Sequence, residues 1–154
     1  MADKDIKKAL KIAKKVHKGQ IYGIGDYFKL HIMPIYNMAK TLTSNKEIII
    51  TAIMHDVLED GGDQTLADIF CSRKISEAIK AISRRRTETY KEYIERVSKN
   101  HIASAVKYID LLENLSNIPN SGWEDSRKEM MFKRYTNALV VIGPIVIKGD
   151  LWVI

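Results

Sequence analysis

Apolar residues recur at three- and four-residue steps through most of the chain, and that period restricts it to packed helices more firmly than any other feature. From Asp3 to Lys18, Ile6, Ala9, Leu10, Ala13 and Val16 form one stripe, while seven lysines from Lys4 to Lys18 fill the opposite face. Gly19 stops this helix, and Gly23, Gly25 and Asp26 mark a loop. A second helix is predicted over about Leu30 to Leu42, with Pro34 in its first turn. A third, capped by Ser44 or Asn45, runs through Ile48, Ile53, His55, Asp56 and Leu58 until Gly61 and Gly62. Helical segments over 65–70, 72–83, 90–99 and 102–118 follow, and after Pro119, Asn120 and Gly122 a last one runs from Glu124 to about Val141. Beyond Gly143 and Pro144, the β-branched Ile145-Val146-Ile147 and the segment Leu151-Trp152-Val153-Ile154 flank Lys148-Gly149-Asp150, which predicts a short C-terminal β-hairpin. The expected fold is all-α: one bundle of about six to eight helices over residues 1–142, with 143–154 as a tail.

Composition narrows the setting. A chain of 154 residues suits one domain with one core. Its single cysteine, Cys71, cannot form an internal disulfide, so a reducing, cytoplasmic location is expected. The N-terminus lacks the apolar core of a secretory signal, and the longest apolar run, Ala138 to Ile147, is about half of a bilayer span, so no membrane is expected. Lys and Arg number 25 against 19 Asp and Glu, a net charge of +6, which points to an anionic partner.

The densest run of reactive side chains is His55-Asp56-Val57-Leu58-Glu59-Asp60. On a continuous helix, Asp56 lies three and four residues from Glu59 and Asp60, so three carboxylates share neighbouring parts of one face at the negative end of the helix dipole. A divalent cation would offset them. His31 opens the preceding helix, and Asp110 interrupts the apolar stripe of the 102–118 segment with Asn114 one turn on. Its neighbours Lys107 and Glu113 suit a solvated carboxylate, whereas a core-facing position would deliver a further ligand.

Taken together, His31, His55-Asp56 and Asp110 resemble the H…HD…D signature of the HD-domain metal-dependent phosphohydrolases, and most closely the hydrolase part of the RelA/SpoT proteins and the small alarmone hydrolases. The group's H-x-G-Q motif is similar to His17-Lys18-Gly19-Gln20, and its loop before the first histidine to Gly25 through Ile32. H-D-x-x-E-D is intact at His55 to Asp60. K-x-x-D-x-x-x-N matches Lys107 to Asn114, and T-Y-x-E-Y-I-x-R matches Thr89 to Arg96. The resemblance covers about residues 5–118.

That resemblance implies a metal-dependent phosphohydrolase of a phosphorylated nucleotide, removing the 3′-pyrophosphate of (p)ppGpp or (p)ppApp. His31, His55, Asp56 and Asp110 would hold one divalent metal, Mn²⁺ or else Fe or Zn. Glu59 and Asp60 would handle protons, and Asn114 would orient the site. Lys107, Arg84 and Arg85 would meet phosphate oxygens. The group's base-packing arginine is Tyr22 here, which offers a stacking surface without charge; its loop tyrosine is Phe28, and its proline after the first histidine is Ile32. The alternatives are the same chemistry on a dNTP or nucleoside monophosphate, or a non-catalytic module binding nucleotide or nucleic acid. A nucleotide, rather than a polymer, is the expected anion.

Overall fold

The computed structural model describes residues 3–148. Its elements in chain order are α1 (Lys4–Val16), a small hairpin of β1 (Ile21–Tyr22) and β2 (Gly25–Asp26), a π-helical turn (Phe28–Ile32), α2 (Met33–Leu42), α3 (Lys46–Met54), α4 (Val57–Gly61), a 3₁₀ turn (Gln64–Ala67), α5 (Arg73–Ile82), α6 (Tyr90–Val97), α7 (His101–Asn117), a second 3₁₀ turn (Ile118–Asn120) and α8 (Asp125–Lys148). Among the described residues the fold is all-α apart from the two-residue strands, which pair antiparallel with Ile21 opposite Asp26.

Capping residues set the helix starts. Asp3, Asn45, Ser72, Thr89 and Asn100 each accept a backbone N–H two or three residues ahead, satisfying amides that have no partner inside the helix. Thr89 and Glu92 do so reciprocally. The centre of the bundle is α3, buried from Ile48 to Met54 and packed against α1, α2, α5 and α7. A helix apolar on every side is stable only inside a core. Ile48, Ile50 and Ile53 are fully buried, each contributing about 1.5–3 kcal/mol. The six lysines of α1, and Lys18 just beyond it, are all exposed, while Ala9 and Ala13 face α3 and the core.

Three local features depart from the sequence reading. The third helix does not run unbroken: α3 ends at Met54, His55 and Asp56 form a turn, and α4 restarts at Val57. Gly62 then closes α4 at φ 67, a left-handed conformation that favours glycine, with its N–H on the Leu58 carbonyl at 3.1 Å. The second helix is entered through the wide π turn, in which Met33 N–H bonds the Phe28 carbonyl; such turns are rare and cluster at functional sites. The C-terminal hairpin is corrected. Ile145, Val146 and Ile147 belong to α8, because Ala138, Ile142 and Val146 at four-residue steps all bury against the bundle, and that burial overrides β-branched propensity. Pro144 sits on the exposed side of this helix. The hairpin's second half lies outside the described residues.

The same extension makes Asp125–Ile147 long and apolar enough to cross a membrane by composition. It lies along α7, however, and its first half carries Asp125, Arg127, Lys128, Glu129, Lys133 and Arg134.

Candidate metal centre and active site

Four side chains from the π turn, the α3–α4 turn and α7 meet at one point. His31 Nε2 lies 3.2 Å from His55 Nε2, 3.5 Å from Asp56 Oδ2 and 3.4 Å from Asp110 Oδ1. His55 Nε2 is 3.0 Å from Asp56 Oδ2 and 3.7 Å from Asp110 Oδ1. Metal–donor bonds of about 2.1 Å place neighbouring donors about 3.0 Å apart in an octahedron and about 3.4 Å apart in a tetrahedron. The spacing therefore suits a divalent ion. His31, His55 and Asp110 are buried, and their donor atoms lie within 4.8 Å of one another.

The far side of each imidazole explains why these nitrogens face inward. His55 Nδ1 donates to the Ala52 carbonyl at 2.8 Å, and His31 Nδ1 donates to Glu113 Oε2 at 2.7 Å. Both rings are thereby assigned the tautomer whose Nε2 lone pair points into the cluster. Two lone pairs and two carboxylate oxygens facing one another repel unless a positive charge stands among them. Protons are one source. Burial opposes charge on His31, but hydrogen bonds to Asp110, Asp56 and Glu113 outweigh it and raise its pKa well above the ordinary value. A divalent ion satisfies all four donors at once, so the residues present fit a metal.

Asp110 is held by three further contacts. Lys107 Nζ approaches its Oδ2 at 2.7 Å, and the Asn114 amide donates to its carbonyl at 2.9 Å and its Oδ1 at 2.7 Å. Burial would discharge Lys107, yet the charge of Asp110 keeps its pKa well above the ordinary lysine value. Tyr22 donates to Asn114 Oδ1 at 3.0 Å and packs its ring 4.8 Å from that of His31. Tyr27 donates to Asp56 Oδ2, and burial followed by the Asp56 charge raises its pKa, so it remains a donor. Glu113 and Tyr27 were absent from the sequence-derived site. Glu113 had a signal, since it follows Asp110 by one helical turn on the same face; Tyr27 had none beyond its nearness to His31.

The acidic pair of H-D-x-x-E-D diverges. Glu59 turns toward the cleft and accepts the Arg84 N–H at 2.5 Å; burial, then Asp56, raises its pKa. Solvent still reaches it. Asp60 turns the other way, 3.3 Å from Nδ1 of the buried His17, which also meets Gln20 Oε1 at 2.9 Å. The helix break at His55-Asp56 takes Asp56 out of α4, and Glu59 and Asp60, consecutive on α4, diverge as neighbouring helical residues do, so the three carboxylates do not share one helical face.

Above the donors lies a cleft of about 230 Å³ that includes Tyr22, Asp56, Glu59, Arg84, Lys107 and Asn114. Arg134 of α8 also lines it, 5.0 Å from the Tyr90 ring, a residue for which no motif gave notice. Two larger cavities adjoin. One, of about 660 Å³, is mainly apolar, with Tyr22, Asn117, Trp123, Met131 and Tyr135 in its wall. The other, of about 800 Å³, is basic, with Lys80, Arg84, Arg85 and Arg86 around Glu59. Of the sequence-derived set, His31, His55, Asp56, Asp110, Asn114, Lys107, Glu59, Arg84 and Tyr22 converge on one region; Arg85 reaches only the basic cavity, and Asp60 is directed to His17.

The class the structure defines is one of fold: an all-α bundle that gathers two histidines and two aspartates at one point. No protein-family model and no curated protein matches the sequence. In three dimensions the chain is similar to a solved structure of a metazoan ortholog of SpoT, described as hydrolysing ppGpp and playing a role in starvation responses, with a TM-score of 0.75 over 98% of both chains. Sequence identity is 16%, so the likeness is one of fold.

Proposed function

We propose that the chain is a metal-dependent phosphohydrolase of a phosphorylated nucleotide, and that it removes pyrophosphate from the 3′ position of a (p)ppGpp- or (p)ppApp-type substrate. One observation carries this reading: two imidazole nitrogens and two carboxylate oxygens face one another in a buried cluster at the floor of a cleft rimmed by Glu59, Lys107 and Arg84. The structural neighbour's described activity on ppGpp supports the same choice.

His31, His55, Asp56 and Asp110 would hold the ion, Mn²⁺ in this proposal, with Fe or Zn as the other fits to a mixed nitrogen and oxygen set. When bound, such an ion polarises a phosphate oxygen and lowers the pKa of a water. The chain's own residues supply the rest. Glu59, with its raised pKa, is placed to take a proton from the attacking water and return one to the leaving oxygen. Asp60, anchored by His17, stands behind it and adds negative charge near Tyr27. In the reaction the water oxygen bonds to phosphorus, the bond from phosphorus to the ribose 3′ oxygen breaks, and that oxygen gains a proton. A free 3′ hydroxyl and pyrophosphate result.

Lys107 and Arg84 face the cleft with positive charge, and Arg85 extends it into the basic cavity, where arginine forks suit paired phosphate oxygens. The apolar cavity on the opposite side, walled by Tyr22 and Trp123, is suited to the nucleoside. Its amides and aromatic faces carry no fixed charge to select guanine, which favours, as the second reading, the same chemistry on another nucleotide. The proposed setting is the cytoplasm, with no nucleic-acid or membrane partner.

Purified protein loaded with Mn²⁺ is to be offered ppGpp, ppApp, dNTPs and single-stranded DNA, with Asp56→Ala and Glu59→Ala as controls. Release of pyrophosphate from ppGpp or ppApp, lost in both variants, is the expected result. Turnover of dNTPs alone selects the second reading. No turnover of any nucleotide, or full activity in Asp56→Ala, refutes the hydrolase. Retention of DNA by both variants, without turnover, would instead indicate a binding module.

A further inference from the structure

The turn between α5 and α6 presents two consecutive backbone amides to two different carboxylates. Arg84 N–H donates to Glu59 Oε1 at 2.5 Å, and Arg85 N–H donates to Glu88 Oε1 at 2.7 Å. Glu88 is in turn gripped from α6. Arg96 Nε reaches its Oε2 at 2.9 Å and Nη2 its Oε1 at 2.6 Å, a two-pronged pair in which both side chains are largely shielded from solvent. The rest of the same guanidinium closes the end of α5, donating to the carbonyls of Ala81 at 2.7 Å and Ser83 at 2.8 Å. Those carbonyls lack helical partners, and a cation beside them also offsets the negative end of the α5 dipole. Arg84 Nη2 adds a bond to the Glu88 carbonyl at 3.3 Å. Arg96 thus ties both ends of the arginine turn to one planar group, and the turn's only bond to the H-D-x-x-E-D segment given by its amides is the one to Glu59.

We propose that Arg96 and Glu88 form a clamp that positions Glu59 and the Arg84–Arg85 pair for reaction, acting through the backbone amides of Arg84 and Arg85. The inference rests on the phosphohydrolase reading and adds to it a pair of positioning residues that touch neither the donor cluster nor the cleft. Released from the clamp, the turn loses the geometry that aims Arg84 N–H at Glu59, and the proton carrier and the phosphate-facing guanidiniums shift together. The centre itself, built on α3, α7 and the π turn, keeps its donors. Lysine cannot substitute, because a point charge cannot fork the Glu88 carboxylate and reach two carbonyls at once.

The test compares wild type, Arg96→Met, Arg96→Lys and Glu88→Gln, each with and without Glu59→Gln, by steady-state kinetics, bound-metal content and thermal unfolding. Arg96→Met should lower kcat by about ten- to a hundredfold and raise KM, the range expected for losing a charge-assisted hydrogen bond, with bound metal unchanged. Arg96→Lys should not rescue it. Glu59→Gln, severe in wild type, should add less than about threefold in the Arg96→Met background, since both changes disable the same group. Full additivity, or an unchanged kcat, overturns the clamp and leaves Arg96 a structural residue. If Arg96→Met does not fold, Glu88→Gln, which keeps one oxygen to accept Arg85 N–H but removes the charge and replaces the acceptor of Arg96 Nε with an amide donor, is judged by the same criteria. A wild type that turns over no nucleotide refutes the hydrolase reading alone. In that event calorimetric titration of the metal-loaded protein with inorganic pyrophosphate decides the clamp: at least about fivefold weaker binding in Arg96→Met or Glu88→Gln is expected, equal affinity overturns it, and a wild type that does not bind overturns both.

Discussion

The two walls of the cleft are held in place by different means. On the donor side, His31, His55 and Asp110 are buried, and each has a second contact that fixes its direction: Glu113 behind His31, the Ala52 carbonyl behind His55, and Lys107 and Asn114 around Asp110. On the rim side, Arg84, Arg85 and Arg86 are exposed, and the turn that carries them is organised through backbone amides and the Arg96–Glu88 pair. The difference teaches where tolerance lies. Donors that face one another within a few ångströms are fixed by buried contacts from behind, while the guanidiniums of the rim stay solvated on a turn.

The largest expected effect comes from breaking the donor wall. Asp110→Ala removes the counter-charge of buried Lys107 as well as a ligand, so it should abolish metal retention and destabilise the fold by about 3–5 kcal/mol, read by metal analysis and urea denaturation. A variant that stays within about 1 kcal/mol of wild type would show that wall to be less tightly coupled than its contacts indicate. Next, Glu113→Gln leaves every ligand in place but takes the negative charge from behind His31. Metal affinity should fall by about ten- to a hundredfold in a competitive chelator titration, without loss of fold.

The rim should answer to acid instead. Hydrogen bonds from Arg96, opposed by desolvation and aided by the Arg85 amide, lower the Glu88 pKa from 4.5 to about 2. Because the folded value lies below the unfolded one, this group's stabilisation is complete above about pH 4.5 and is lost as pH falls toward about 2. Urea melts across that window should show a shallower loss for Glu88→Gln than for wild type; identical slopes would remove the clamp from the stability balance. The smallest effect is expected at Tyr22. Tyr22→Phe keeps the ring against His31 and removes only the hydroxyl's bonds to Asn114 and Glu113, about 1 kcal/mol, so KM should change by less than about tenfold. Tyr22→Arg should change the preference between ppGpp and ppApp more than the total rate.

Much of this was readable before the coordinates. The cap at Asn45, the buried stripe of α1 and the H-D-x-x-E-D run each depend on residues a turn or less apart, and local spacing is what a sequence displays. The π turn at His31 and the break at His55-Asp56 were not readable, because a helical pattern looks unbroken when the side chains on both sides of a kink are equally apolar. That break matters most: it takes Asp56 off the helix that carries Glu59 and Asp60, which, as neighbours one residue apart on α4, point to the cleft and to His17 respectively. The C-terminal β-hairpin failed for a related reason, since Ile145 to Ile147 have strand-like composition but continue α8, whose Ala138, Ile142 and Val146 bury against the bundle.

By itself, the sequence determined that the chain would be helical and where most of its helices start, since periodicity and capping act over three or four residues, and it singled out the histidines and aspartates that the fold brings together. Only the tertiary structure decided that Glu113 stands behind His31, that Tyr27 reaches Asp56, and that Arg96 secures the arginine turn. Those partners are separated by 82, 29 and 8 residues respectively. Even the last pairing spans a turn and a new helix, and a contact of that kind arises from packing, which no local pattern specifies.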